Sequence, residues 1–216
     1  MSSRTSLFSS SIGRKVVMAL TGFFLIIFLL LHLVINLLTL FSAEAFNEAS
    51  HFMATNPLIQ MMQYVLALGF ILHIAYGLKL TMQNRAARPV KYAYNKPGEN
   101  SSWTSRSMII TGMTVFLFLI LHLKDYFIEV KSGNLGGYAT DYEMVTHLFD
   151  NLAYTCVYVL AFVLLGLHLH HGFQSAFQSI GFNHPKYTPF IKKLALAYTI
   201  LVPAGFALIS IYFYLT

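Results

Sequence analysis

Long apolar runs alternate with short polar stretches along the chain, the runs covering Val16 to Phe41, Pro57 to Leu78, Ser107 to Leu123, Asn151 to about Gln178, and Leu194 to Thr216. A helix rising 1.5 Å per residue needs about 20 residues to cross a hydrocarbon core. The pattern therefore predicts an all-α polytopic membrane protein, one domain over 1–216, with transmembrane helices over about 14–41, 57–83, 106–128, 151–179 and 190–215. The third run is the shortest before it meets Lys124 and Asp125, which places both at the interface with the lysine stem snorkelling. Pro57 suits a helix start. The first run far exceeds the roughly 7–15 apolar residues of a cleavable signal peptide and is expected to remain as a span.

Composition sharpens this reading. Charged residues make up 10% of the 216, against roughly 25% in soluble proteins. Hydrophobic residues reach 56% and the mean hydropathy is +0.62. Most soluble classes are excluded. The one cysteine, Cys156, lies within the fourth run. A lone cysteine rules out an internal disulfide framework, a CxxC zinc ribbon and a cysteine-ligated iron–sulfur cluster held by this chain alone. Redox chemistry would need other ligands.

The charges set the orientation. With the N-terminus cytoplasmic, 12 of the 14 Lys and Arg fall inside: Arg4, Arg14, Lys15, Lys79, Arg85, Arg88, Lys91, Lys96, Arg106, Lys186, Lys192 and Lys193. Lys124 and Lys131 fall outside, together with Glu44, Glu48, Asp125, Glu129, Asp141, Glu143 and Asp150, while Glu99 alone among the acids is inside. Cytoplasmic loops of membrane proteins carry this Lys/Arg excess. The net charge of +6 is thus an insertion signal or a docking face for a partner, with no call for nucleic acid.

Residues 18–33, MALTGFFLIIFLLLHL, recur as residues 108–123, MIITGMTVFLFLILHL, with Met, Thr-Gly and His-Leu at a constant offset of 90. The second and fourth helices share H-x-x-x-G at an offset of 95, as His73 to Gly77 and His168 to Gly172. The chain reads as two helix pairs and an unpaired fifth helix. Four spans each carry a histidine, and an intramembrane imidazole is costly enough to need a reason. The first and third helices run outward, so His32 and His122 share the outer leaflet; the second and fourth run inward, so His73 and His168 share the inner leaflet. Two histidines on facing helices at one depth are the ligand set of a six-coordinate haem, whose ring takes an imidazole on each face.

Small residues sit in register with these ligands. Thr21 and Gly22 precede His32 by 11 and 10 residues, about three turns, which places them on nearly the same face and about 16 Å nearer the cytoplasm, at the inner pair's depth. Thr111 and Gly112 stand in the same relation to His122. The first and third helices would so present Gly22 and Gly112 to a ring ligated by the second and fourth. Gly77 and Gly172, one turn past their histidines, would admit a bulky ring or a neighbouring helix.

Other readings stay open. A membrane histidine also serves as an interhelical hydrogen-bonding group. Zinc is the main rival, since His168, His170 and His171 cluster, yet no Asp or Glu lies deep in any span to serve a catalytic zinc. His170 and His171 cannot both share a face with His168. His51, His147 and His184 fall in loops.

With a histidine in each of the first four helices, His168-x-x-x-Gly172 followed by Phe173, Ser175, Ala176 and Phe177, and His32-Leu33 with Asn36, the chain resembles a known family. That family is the diheme cytochrome b membrane anchor of succinate dehydrogenases and fumarate reductases, of the five-helix, single-subunit type. The resemblance implies a four-helix haem-binding bundle plus a fifth helix and two haem b groups, with His73 and His168 the axial iron ligands of the inner one and His32 and His122 of the outer one. The ligand stands four before the glycine, which selects His168 over His171. It also implies flavoprotein and iron–sulfur subunits docked on the cytoplasmic side of the inner membrane, and electrons exchanged with a quinone, menaquinone or ubiquinone.

Propionate partners are expected among Arg14, Lys79, Arg106, Lys192 and Lys193 inside, and Lys124, Asn36 and Tyr126 outside. Gln60, Gln63, Asp125 and Glu129 are candidates near an outer quinone, and the loop from Gln83 to Arg106, with Tyr187, is the expected docking face. A diheme anchor serving a hydrogenase or another dehydrogenase is the runner-up. A haem-free transporter would show Gly/Pro-broken helices at the midplane, and only the fifth span has such a break, at Pro203.

Overall fold

The computed structural model describes residues 10–87 and 103–216, so the expected docking loop from Gln83 to Arg106 falls mostly outside the described residues. The helices are α1 (Ser11–Leu37), α2 (Ala43–Thr55), α3 (Pro57–Ala86), α4 (Trp103–His122), α5 (Asp141–His147), α6 (Leu152–Ser179) and α7 (Thr188–Leu215). The described residues contain no strand. Five stretches are long and apolar enough to cross a membrane: Ile12–Leu40, Pro57–Ala86, Ser105–Ser132, Leu152–Ser179 and Thr188–Leu215. The chain is an all-α polytopic membrane protein, as its hydropathy predicts.

Local chemistry sets the helix starts. The Ser10 hydroxyl accepts from Gly13 N–H at 2.9 Å at the head of α1. Asn56 caps α3 by accepting from Leu58 and Ile59 N–H, and Asn151 caps α6 in the same way through Ala153 and Tyr154 N–H. Such side-chain oxygens satisfy first-turn donors that have no partner within the helix. The two caps are offset by 95, like His73 and His168, so the second repeat extends back to the helix starts.

Two features depart from the expected layout. The third span runs past its expected end near 128: after a π-helical stretch, Leu123–Ile128, it adds a last turn, Glu129–Ser132, closed by Gly133 at φ 71°. The connections that follow the first and third spans also fold into α2 and α5, which pack on each other through Phe46 and Tyr142 and through a bond from Tyr142 N–H to Asn47 Oδ1 at 2.9 Å. These helices are short and mixed in polarity, so they leave no long apolar run in the sequence.

Helix α6 lies against α1, α4 and α7, and α3 packs on α1. The buried cluster of Leu33, Phe149, Tyr158, Phe162, Val202, Phe206 and Ile209 joins these helices at the end that carries His32 and His122. Lipid tails are as apolar as leucine, so close backbone approach rather than hydrophobic exclusion holds such a bundle. At Gly166 a Cβ would stand 3.0 Å from the Thr199 carbonyl oxygen, the group that Pro203 leaves without its usual helical donor. The Tyr198 hydroxyl donates to the Ile26 carbonyl at 2.6 Å, tying α7 to α1.

Candidate functional site: two histidine pairs in the bundle

Helices α3 and α6 bring His73 and His168 together with ring centroids 6.4 Å apart. The Thr21 hydroxyl lies 3.3 Å from His73 Nδ1, and the Thr111 hydroxyl 3.5 Å from His168 Nδ1. Each threonine is also within bonding distance of carbonyls of its own helix, Val17 and Met18 for Thr21, Ser107 and Met108 for Thr111. A ring protonated at Nδ1 donates to the threonine oxygen and leaves its Nε2 lone pair free. Helix rise therefore placed the Thr-Gly pairs at the right depth, but they meet the histidine rings themselves. A Cβ on Gly22 would stand 3.6 Å from His73 Cε1, and one on Gly112 would stand 3.1 Å from His168 Cε1. A Cβ on Gly77 or Gly172 would stand 3.4 or 3.5 Å from the methyl carbon of Met18 or Met108, so the recurring methionines pack in register too.

These residues line one cavity of about 1240 Å³, which includes Gly22, His73, Gly77, Gly112, His168 and Gly172. Its basic lining residues among those described are Lys15, Arg85, Arg106 and His171. Of the expected inner propionate partners Arg106 is therefore placed there, while Arg14, Lys79, Lys192 and Lys193 are not among the lining residues. Positive-inside placement makes every basic residue on that side look alike, so the sequence does not single out Lys15 and Arg85 as lining the cavity.

The outer pair, His32 and His122, has ring centroids 5.8 Å apart. Phe28 stacks on His32 at 5.4 Å, Phe206 lies at 5.6 Å, and Phe118, Tyr126 and Tyr158 surround His122. Asn36 donates to the His32 carbonyl at 2.8 Å and approaches its Nδ1 at 3.4 Å. The His122 Nδ1 is buried with no hydrogen-bond partner among the described residues. Gln60 and Gln63 bond to each other, and Gln60 also accepts from Lys131 at 2.8 Å, so this pair braces α3 against the end of the third span.

Asp125 and Lys124 differ in surroundings: the Asp125 side chain is 5% exposed, while that of Lys124 beside it is 69% exposed. The Tyr158 hydroxyl donates to Asp125 Oδ2 at 3.2 Å. Spacing could have found Tyr158, which precedes His168 by 10 residues, the same interval that sets Gly22 at the depth of the opposite pair.

The donor set suits a bis-imidazole metal group. Two imidazoles bound on opposite sides of one metal at about 2 Å each have ring centroids about 6 Å apart, close to both observed separations. The cavity accommodates a large planar ring beside the inner pair. The α6 histidines do not form a three-ligand site: His170 turns to a groove with Thr199 and Pro203, and His171 faces the cavity. Among the described residues no three His, Cys, Asp or Glu side chains converge on a common point.

Residues 81–205, more than half of the chain, match the family described as succinate dehydrogenase/fumarate reductase transmembrane subunit. The match includes His122 and His168 and begins after His32 and His73. Over 152 residues, 69% of each chain, the protein is 26% identical to the succinate dehydrogenase cytochrome b558 subunit of Bacillus subtilis (strain 168). No solved structure gives a significant match. With five membrane-crossing helices and this match, the chain belongs to the succinate dehydrogenase/fumarate reductase transmembrane subunit family and is a multi-pass membrane anchor of that oxidoreductase.

Proposed function

We propose that this subunit carries electrons between a cytoplasmic iron–sulfur subunit and a membrane quinone, menaquinone or ubiquinone, using two haem b groups. His73 and His168 hold the inner one, and His32 and His122 the outer. The observation that carries the reading is the meeting of four histidines as two pairs, each with ring centroids near 6 Å; helix rise sets the two pairs about 16 Å apart in height. When bound, haem b supplies reversible one-electron chemistry at an iron with both axial positions filled, which favours electron transfer over oxygen chemistry.

The chain's own residues do the rest. Thr21 and Thr111 accept from Nδ1–H and fix the tautomer that offers Nε2 to iron. Gly22 and Gly112 keep the helix surfaces low beside the imidazoles. Lys15, Arg85 and Arg106 supply the cations that two propionates require. The basic residues put the N-terminus in the cytoplasm and the C-terminus outside, so that the flavoprotein and iron–sulfur subunits dock on the inner face.

The test is a pyridine haemochrome assay with reduced-minus-oxidised spectra on the complex containing this chain. Two b haems per chain are expected. His73→Ala and His168→Ala remove one spectral component, and His32→Ala and His122→Ala the other. A well-folded preparation without haem sinks the reading, as does a component lost jointly in the His32 and His73 variants but retained in their expected partners.

A further inference from the structure

Asp125 has no part in ligation, yet its side chain is 5% exposed. It occupies the π-helical stretch Leu123–Ile128 directly after His122, and π-helical turns concentrate at functional sites. Four groups face it or its bonding partner. Tyr158, 2% exposed, donates to Oδ2 at 3.2 Å, and Lys124 Nζ stands 3.5 Å from Oδ1 on the exposed side. The Tyr158 ring in turn lies 6.3 Å from His122 and 6.3 Å from Tyr126. Tyr158 thus bonds to the carboxylate and packs its ring near the His122 imidazole. The inner cavity has the opposite character, lined by Lys15, Arg85 and Arg106.

We propose that Asp125 is an electrostatic positioning residue of the outer site: placed against His122 through Tyr158, its carboxylate holds down the reduction potential of the group bound by His32 and His122. This rests on the reading of two haem-bearing histidine pairs. The oxidised iron carries one more positive charge than the reduced iron, so a nearby negative charge favours the oxidised form. In an apolar, water-poor surrounding such an interaction is screened far less than at a surface. Charge and hydrogen bonding around the ligands are the means by which proteins set these potentials. A buried carboxylate is expensive, and the Tyr158 bond with the Lys124 pair offsets that cost while leaving the charge on the side of the histidines.

The test is a potentiometric titration of the assembled complex followed by absorbance, with the outer component identified as the one lost in His122→Ala. Asp125→Asn is expected to shift the outer component to higher potential and leave the inner component in place; Asp125→Glu, which keeps the charge, returns it close to wild type. An outer potential that stays or falls in Asp125→Asn, with two haems per chain still bound, overturns this proposal and leaves the two-pair reading standing. Wild-type complex without haem overturns both. Should Asp125→Asn fail to assemble, the smaller neutral variant Asp125→Ser decides: a rise of the outer potential is expected, and an outer potential that stays or falls with two haems bound overturns the proposal.

Discussion

Gly112 and His168 touch across the α4–α6 interface so closely that a Cβ on the glycine would stand 3.1 Å from the ring's Cε1 and 3.4 Å from its Nδ1. The repeat-related pair is looser, with a Gly22 Cβ at 3.6 and 3.9 Å from the same atoms of His73. Gly112→Ala is therefore expected to push His168 off its position, and Gly22→Ala to be tolerated. Haemochrome assays should give a fall from two haems per chain to one in the first variant and no change in the second. Equal retention in both would show that the α6 histidine yields without consequence.

Thr111→Val keeps the shape of the side chain and removes the oxygen beside His168 Nδ1. Loss of such an outer partner typically weakens metal binding by about 10–100-fold. Haem retention during detergent exchange should fall for the inner component alone, with Thr111→Ser close to wild type. Thr21→Val is expected to act in the same direction through His73.

The paired caps make a stability prediction. Asn56→Ala and Asn151→Ala each remove the acceptor for two first-turn N–H groups and are expected to cost about 1 kcal/mol. Thermal unfolding in detergent measures this, and Asn151→Asp should recover most of the loss.

Gly166→Ala sets a Cβ 3.0 Å from the Thr199 carbonyl oxygen, a backbone atom that cannot swing away, so a cost of about 1–3 kcal/mol is expected from separation of α6 and α7. Gly205→Ala meets Leu33 methyls at the same distance. A leucine side chain can turn, and the smaller loss expected there is read in the same unfolding experiment.

Orientation is checked by thiol labelling in a Cys156→Ser background. A cysteine at Lys131 should react with a membrane-impermeant maleimide in intact cells, and one at Lys192 only after permeabilisation. The reverse pattern would invert the topology drawn from the basic residues.

Much of this molecule is legible in its sequence because the properties concerned are local or periodic. Hydropathy over 20 residues sets where a helix can cross, and a rise of 1.5 Å per residue converts the interval from Gly22 to His32 into depth, so both histidine pairings and the neighbours of the inner pair follow from counting. The geometry agrees, bringing His73 to His168 and His32 to His122. The outer helices α2 and α5 were not legible, since their apolar residues, Phe46 and Met144 among them, are too few to stand out until another surface covers them.

Depth is a one-dimensional quantity, and the rotation of each helix about its axis is not. Lys124 and Asp125 are neighbours at one height, and hydropathy treats both as interfacial charges. Only the packing of the third span on α6 decides that the lysine faces outward while the carboxylate meets the Tyr158 hydroxyl. The same holds for the threonines, which spacing places beside a ring and tertiary contact assigns to Nδ1. The apolar length of each span and the heights of its histidines were determined along the chain; the facing of Asp125, the cations of the inner cavity and the partners of each imidazole were decided between helices, because azimuth depends on which surfaces interlock.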